Sequence, residues 1–342
     1  MTITPDVNLA NYSTMRLGGI AAFLAEIHDR AELKEAVAWA NERKLPIVMI
    51  GDGSNVIWKD EGFDGLVLVN KITGFELQNE DEYGTYVVAG AGEPWDSVVA
   101  HSVAVGLTGI EALSHIPGTA GATPVQNVGA YGQDISQTLT SVEAFDLTTG
   151  QLTNIPAEAC SLGYRTSAFK NEYKGRFLIT AITLHLMKGN PKPPFYSAVG
   201  HYLEEHPADT ITPLTIRDAV IAIRASKLPS VEQVANNGSF FANPIIDEGT
   251  LTQLRSDHPD MPYWPREGGG AKIPAAWLIE QAGFKDAHDQ ETGMATWPLQ
   301  PLVLVNEHAK TTADLLKFKQ KIVDAVATKF SIALEQEPEL LP

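Results

Sequence analysis

An α+β fold divided into more than one domain follows from three features of the sequence. Apolar residues at helical spacing alternate with short apolar strands, a long glycine-rich stretch at 116–132 has the periodicity of neither, and the composition turns proline-rich and polar at 191–194. With 342 residues, 44% of them hydrophobic, the chain can bury a large core, and its length corresponds to roughly two to three domains.

Asp29 and Glu32 have the spacing of a capping box ahead of Leu33, Ala36, Val37 and Ala40, which share one helical face, and Lys44-Leu45-Pro46 stops that helix. A short strand at 47–50, a turn at 51–55 and a strand at 66–69 make a βα-type unit. A strand at 86–89 leads into a helix at 95–105 that Gly106 ends, and further strands are expected at 142–147 and 177–187. The main domain boundary is expected near the proline-rich loop, after which Thr215 with Asp218 caps a helix running toward Arg224. In the last third, a helix around 275–282 and another carrying Leu315, Phe318, Ile322 and Val326 precede a closing strand at 331–334.

The formal charge of −17, without any run of basic residues, leaves no electrostatic footprint for a nucleic-acid backbone or an anionic membrane, so neither is expected as a partner. A nucleotide-sized anion can still be held by backbone N–H groups, because a local site need not share the sign of the whole surface. Cys160 is the only cysteine, which excludes an intramolecular disulfide and fits a reducing compartment. No apolar run approaches the ~20 residues of a membrane span and the start carries no secretory pattern, so a cytoplasmic location is expected. His101, His115, His185 and His288 are scattered without chelating spacing, so no metal site is expected, and His115 reads as a packed or capping residue.

Gly51-Asp52-Gly53-Ser54-Asn55 lies between two apolar strands, where glycines allow positive φ and can aim successive N–H groups at a diphosphate. A hairpin turn with a local Asn55 side-chain bond satisfies the same residues. A Rossmann fingerprint is excluded: no third glycine opens a helix here, and Trp95 stands where one would follow Gly90-Ala91-Gly92, which then reads as an ordinary tight turn. The 116–132 stretch is too poor in large apolar residues for core and too long for one turn. Pro117, Gly118 and Gly121 can bring backbone close to a flat or charged ligand, while Gln126 and Asn127 offer paired amide donors and acceptors; a structural Ω-loop is the alternative. Ser239 follows Gly238 without a second glycine two places later, which argues against a serine-hydrolase elbow.

These segments, together with 11–19, 164–170, 226–229, 238–244 and 334–337, occur in one order that resembles the UDP-N-acetylenolpyruvoylglucosamine reductase family, whose fold is the FAD-binding fold of the vanillyl-alcohol-oxidase kind. The resemblance implies two FAD-binding subdomains, 1–70 (joined by 329–342) and 71–214, and a smaller α+β substrate-binding domain at 215–328. It implies bound FAD, held by Tyr12, Thr14, Arg16, Gly51, Gly53, Ser54, Asn55, Pro117, Gly118, Gly121, Gln126, Asn127, Gly129, Ala130 and Tyr131. NADPH is the implied cosubstrate, the enolpyruvyl nucleotide sugar the implied partner, and a monomer the implied state. Tyr131, Tyr196, Arg224, Lys227, Asn243 and Gln300 are the implied substrate contacts, with Tyr196 closing over the substrate as in the longer of the family's two types.

Arg165, Ser239 and Glu337 are the implied catalytic residues. Reduction of an enol ether leaves negative charge delocalised into the adjoining carboxylate, which a planar, permanently charged arginine can bind. A serine can protonate the carbanion carbon, since so strong a base asks for close placement more than for acidity. Asn237, Ala242 and Ala122-Thr123 depart from the family's pattern, and no extended strand is expected after Glu337. A different FAD-linked oxidase would share the N-terminal loops but lack the 238–244 block, and a non-catalytic flavin binder would not need Arg165, Ser239 and Glu337.

Overall fold

The βα reading of the first third holds in the computed structural model, which describes residues 1–342. Strands Ile20–Ile27 and Ile47–Ile50 both run parallel to Phe63–Asn70, and Ile3–Asn8 completes the four-stranded sheet. The Arg30–Glu42 helix makes the crossover. The Asp29 carboxylate caps it by accepting the Ala31 and Glu32 N–H groups, and Leu33, Ala36, Val37 and Ala40 are its buried residues, as their spacing requires.

A second sheet follows, in the order Gln151–Pro156, Leu139–Asp146, Phe177–Lys188, Gly84–Gly90, Phe75–Glu80. Its outer strands escape sequence reading because they are mostly exposed and lack apolar alternation. Helix Trp95–Ala104 lays Trp95, Val98, Val99 and Val103 into the core with Val87, Ile182 and Leu184 of this sheet. Gly90 and Gly92 are more than a tight turn: a Cβ at Gly92 would stand 2.5 Å from the Ile72 nitrogen, so the backbones pass closer than any side chain allows.

Helix Pro213–Ala225 is capped by Thr212, three residues before the expected cap. Thr212 and Thr215 exchange side-chain and backbone bonds, and Pro213 occupies the first helical position, where its missing N–H costs nothing. Its buried face, Ile216, Ala219, Val220 and Ile223, packs with Ala112 and Val199. That packing draws the helix into a first compact unit made of Met1–Val7, Ala21–Asp52 and Phe63–Ser226. Asn8–Ile20, Gly53–Gly62 and Lys227–Pro342 form the second. The grouping differs from the expected three-part division in two respects: the helix falls before the boundary, and residues 8–20 and 53–62 go with the C-terminal part.

The second unit contains the sheet Ala235–Ser239, Gln300–Asn306, Met294–Trp297, His288–Asp289. Helix Thr312–Phe330 buries Leu315, Phe318, Ile322 and Val326 in a core shared with Met15, Ile57, Phe240 and Phe241. The expected strand at 331–334 is absent. Ile332 and Leu334 are buried, so the alternation is real, but the chain there is extended without a ladder. Pairing starts later: Phe241 bridges Gln336, and Glu339–Leu341 runs parallel to Val56–Trp58. The short C-terminus therefore does carry a strand, contrary to expectation.

Three remote segments are joined around Asn237. Its Nδ2 lies within hydrogen-bonding distance of Thr14 Oγ1 (3.1 Å), Ser54 O (3.2 Å) and Val56 O (3.3 Å), while Thr14 donates to Gly53 O and accepts from the Asn236 N–H. Asn237→Ala removes a buried donor from these acceptors, so the unfolding free energy should fall by roughly 1–3 kcal/mol in denaturant melts, where a change within error would show that the joint contributes nothing.

Candidate active site

In the first unit, the glycine-rich stretch is laid along the start of helix Trp95–Ala104. Trp95 N–H donates to Gly118 O, Thr119 bridges Pro94, and Gly121 N–H donates to Ala91 O. Gly121 cannot carry a side chain, since its Cβ would come 2.4 Å from that of Ala91. Pro117 is exposed, and Gly118, Gln126, Gly129 and Ala130 are half-buried. The Asn127 side chain is committed to the protein: Nδ2 donates to Gly163 O (3.1 Å) and Oδ1 accepts the Ser136 N–H (3.0 Å). Gly129–Ala130 pairs with Gln133–Asp134 across a two-residue hairpin in which Tyr131 (φ 49°) and Gly132 (φ 86°) are both left-handed. Gly51 directly follows strand Ile47–Ile50, which pairs with Phe63–Asn70, so the 51–55 turn is not that of a hairpin.

The Asn127 bond reaches a second tight turn. Gly163 and Thr166 exchange backbone bonds, with Tyr164 and Arg165 at the tip, and Arg165 is held at φ 54° with its guanidinium 5.6 Å from the Tyr164 ring centre. Ser167 donates to Val125 O, a further tie between this turn and the glycine-rich loop. Tyr196 immediately precedes helix Ser197–Glu205 and meets Tyr131 edge-to-face, with ring centres 5.7 Å apart. Arg224, half-buried on helix Pro213–Ala225, donates from Nε to His115 O (3.1 Å), and its charge interacts with the Tyr131 hydroxyl. Burial pushes the Tyr131 pKa up and that of Arg224 down.

In the second unit, Tyr12, Thr14 and Arg16 line up beside Gly53, Ser54 and Asn55. Thr14 N–H donates to Gly53 O (3.1 Å), and Gly53 is left-handed (φ 74°), with a Cβ there falling 2.2 Å from Tyr12 O. Arg16 spends its guanidinium on the Val231 and Glu232 carbonyls, at 3.0 and 2.8 Å.

Ser239 sits at a β-bulge: the pairing steps from Asn236↔Val305 to Ser239↔Val303, and Gly238 (φ 67°) turns the strand between them. Beyond it, Phe240 O accepts the Glu337 N–H (2.9 Å) and Ala242 N–H donates to Glu335 O (2.9 Å). Glu337, only 8% exposed, is thus fixed alongside the serine segment by backbone bonds, with the Glu339–Leu341 strand anchoring the chain beyond it. Asn243 Oδ1 accepts the N–H of Ala275, the first residue of helix Ala275–Gln281. Exposed Lys227 accepts Trp297 Nε1 at its carbonyl (3.0 Å), and Trp297 pairs with Gln300, whose buried Oε1 has no hydrogen-bond partner. Lys227 and Gln300 therefore meet at one hairpin. Asn237 and the Asp96–Arg217 pair were missed by sequence reasoning; an Asn-Asn-Gly run signals a turn at most.

Two family models match the chain. Residues 21–155 match an FAD binding domain, and residues 229–341 match the C-terminal domain of UDP-N-acetylenolpyruvoylglucosamine reductase. A reductase of that name from Amoebophilus asiaticus is 38% identical over the whole of both chains, and one from Burkholderia ambifaria is 38% identical over 99% of this chain and 97% of its own length. The fold is similar to that of the UDP-N-acetylenolpyruvylglucosamine reductase of Thermus caldophilus, with a TM-score of 0.68 at 24% identity over all of both chains. Full-length similarity to these reductases, on the fold and motifs just described, shows that the chain belongs to the UDP-N-acetylenolpyruvoylglucosamine reductase family.

Proposed function

We propose that Arg165, Ser239 and Glu337 carry the chemistry of this FAD-containing reductase, which uses NADPH to reduce the enolpyruvyl group of UDP-N-acetylenolpyruvoylglucosamine in peptidoglycan precursor synthesis. Bound FAD would supply the hydride chemistry that links NADPH oxidation to reduction of the substrate's vinyl group. The residues present fit that group: in the second unit left-handed Gly53 leads into half-buried Ser54 and Asn55, and in the first unit left-handed Tyr131 follows half-buried Gly129 and Ala130, each stretch small or polar enough to admit a flat, anionic ligand. Tyr12, Thr14, Gly51, Pro117, Gly118 and Gln126 are assigned to the same cofactor, whereas Asn127 and Arg16, with their side chains committed to the protein, support the loops that hold it.

Arg165 binds the substrate carboxylate and holds the charge that develops beside it, a contribution of about 3 kcal/mol for one well-placed donor. Ser239 then donates its hydroxyl proton to the carbanion carbon and regains one from solvent. Glu337 supports that transfer as a polar neighbour of the serine segment. The observation carrying this assignment is the pairing of 240–242 with 335–337, which brings a buried glutamate to the segment after a serine re-aimed by a bulge. Tyr131, Tyr196, Lys227 and Asn243 are assigned to the nucleotide sugar, and the unpartnered Gln300 Oε1 fits a ligand N–H or O–H. No helix is long and apolar enough to cross a membrane. We place the protein in the cytoplasm as a monomer, with these small molecules as its partners.

Anaerobic stopped-flow spectroscopy tests the roles. In Ser239→Ala, NADPH should bleach the flavin at the wild-type rate while reoxidation by the enolpyruvyl substrate slows by about 10²–10⁴-fold, with Ser239→Cys between the two; unchanged reoxidation would remove Ser239 from the mechanism. Arg165→Met should lower kcat/KM by about 100-fold, equivalent to the ~3 kcal/mol above. Arg165→Lys should recover only part, because an ammonium cannot form the bidentate pair.

A further inference from the structure

Both ends of the glycine-rich loop are residues that dislike their own backbone conformation. His115, just before the loop, holds φ 60°, and Tyr131, near its end, holds φ 49°. Non-glycine residues stay in this region only when their surroundings over-determine it. One helix meets both: Arg224 donates to His115 O, and Tyr131 packs against the cluster holding Val220 and Ile223, with its hydroxyl in reach of the Arg224 charge.

The opposite side of His115 is held as firmly. Its N–H donates to Asp96 Oδ1 at 2.6 Å, and the same carboxylate receives Arg217 through Nη1 (2.6 Å) and Nη2 (2.8 Å). Arg217 Nη1 also donates to the buried Ser114 Oγ (3.0 Å). Arg217 and Arg224 are seven residues apart on helix Pro213–Ala225, two turns along one face. The helix thus grips the peptide groups on both sides of His115, one through Asp96 and one directly, and reaches on to Tyr131, which packs against its apolar face.

We propose that Arg224 is a positioning residue that staples the two ends of the 116–132 loop, seated by the Asp96–Arg217 pair, and so sets the loop for FAD rather than contacting the nucleotide sugar. This rests on the reading of the loop as the cofactor's support. An arginine suits the task because its planar fork can give Nε to the His115 carbonyl and still present its terminal nitrogens in another fixed direction, toward the Tyr131 hydroxyl; a lysine is a single point charge on a flexible stem.

The test compares Arg224→Lys, Arg224→Met, Tyr131→Phe, the Arg224→Lys/Tyr131→Phe double variant and Asp96→Asn in the full chain. It reads amide hydrogen exchange of 115–132 in the apoprotein and the FAD dissociation constant by fluorescence titration. Arg224→Lys should speed exchange across 115–132 and weaken FAD by at least ~10-fold, nearly as much as Arg224→Met, because charge alone does not staple. The double variant should be no worse than Arg224→Lys, since both changes break one link. Asp96→Asn, which leaves Arg224 and Tyr131 intact and unseats Arg217, should shift both readouts the same way by a smaller factor, with a thermal melt confirming that the variant is folded. Rescue by lysine would overturn the staple. So would an Arg224→Met protein with wild-type exchange and FAD affinity and only a raised KM for the enolpyruvyl nucleotide sugar, which is the signature of direct substrate contact. Failure of the wild-type chain to take up FAD at all would instead sink the reductase reading, and the exchange comparison would still decide the staple.

Discussion

The second unit depends on backbone pairing between segments that are far apart in the chain. Glu339–Leu341 runs parallel to Val56–Trp58, and residues 335–337 pair with 240–242, so residues 335–341 close against the 56–58 strand and the serine segment. Buried backbone donors and acceptors must find partners, and here each chain satisfies the others. Such a joint explains why residues 8–20 and 53–62 are lodged in a unit otherwise made of the C-terminal third. It also gives Glu337 a fixed place although only five residues follow it.

A second constraint recurs in the first unit. His115, Asn127, Tyr131 and Arg165 all hold positive φ, each at a cost on the order of 1 kcal/mol or more. Each is countered by a named bond or contact: Asp96 and Arg224 for His115, Gly163 and Ser136 for Asn127, Arg224 and Tyr196 for Tyr131, and the Gly163–Thr166 exchange for Arg165. Strain held this way keeps a loop in one conformation before a ligand arrives, which reduces the ordering cost of binding. These loops are therefore stiffened by side chains of the protein itself.

Charge follows the same local logic. A chain with a formal charge of −17 serves anionic ligands without a basic surface, because its arginines are placed singly. Arg16 is committed to backbone carbonyls, Arg217 to a carboxylate, and Arg165 is carried at the tip of a tight turn at positive φ. Counting cations along the sequence would not separate these duties.

The sequence by itself determined the α+β class, the first crossover and its capped helix, the apolar faces of the long helices and, through ordered motifs, the family. These are local signals: a helical or strand period survives whatever packs on it, and Asp29 caps its helix with neighbours two and three residues away. The edge strands Phe75–Glu80 and Gln151–Pro156 and the terminal Glu339–Leu341 strand were decided only by tertiary structure, because their order comes from partners across a sheet rather than from their own pattern. The same holds for the side chains. Asn127, Arg16 and Arg224 look alike in sequence as polar residues in family motifs, yet what each one bonds is fixed by residues 9 to 216 positions away, and no local spacing encodes a distance across the fold.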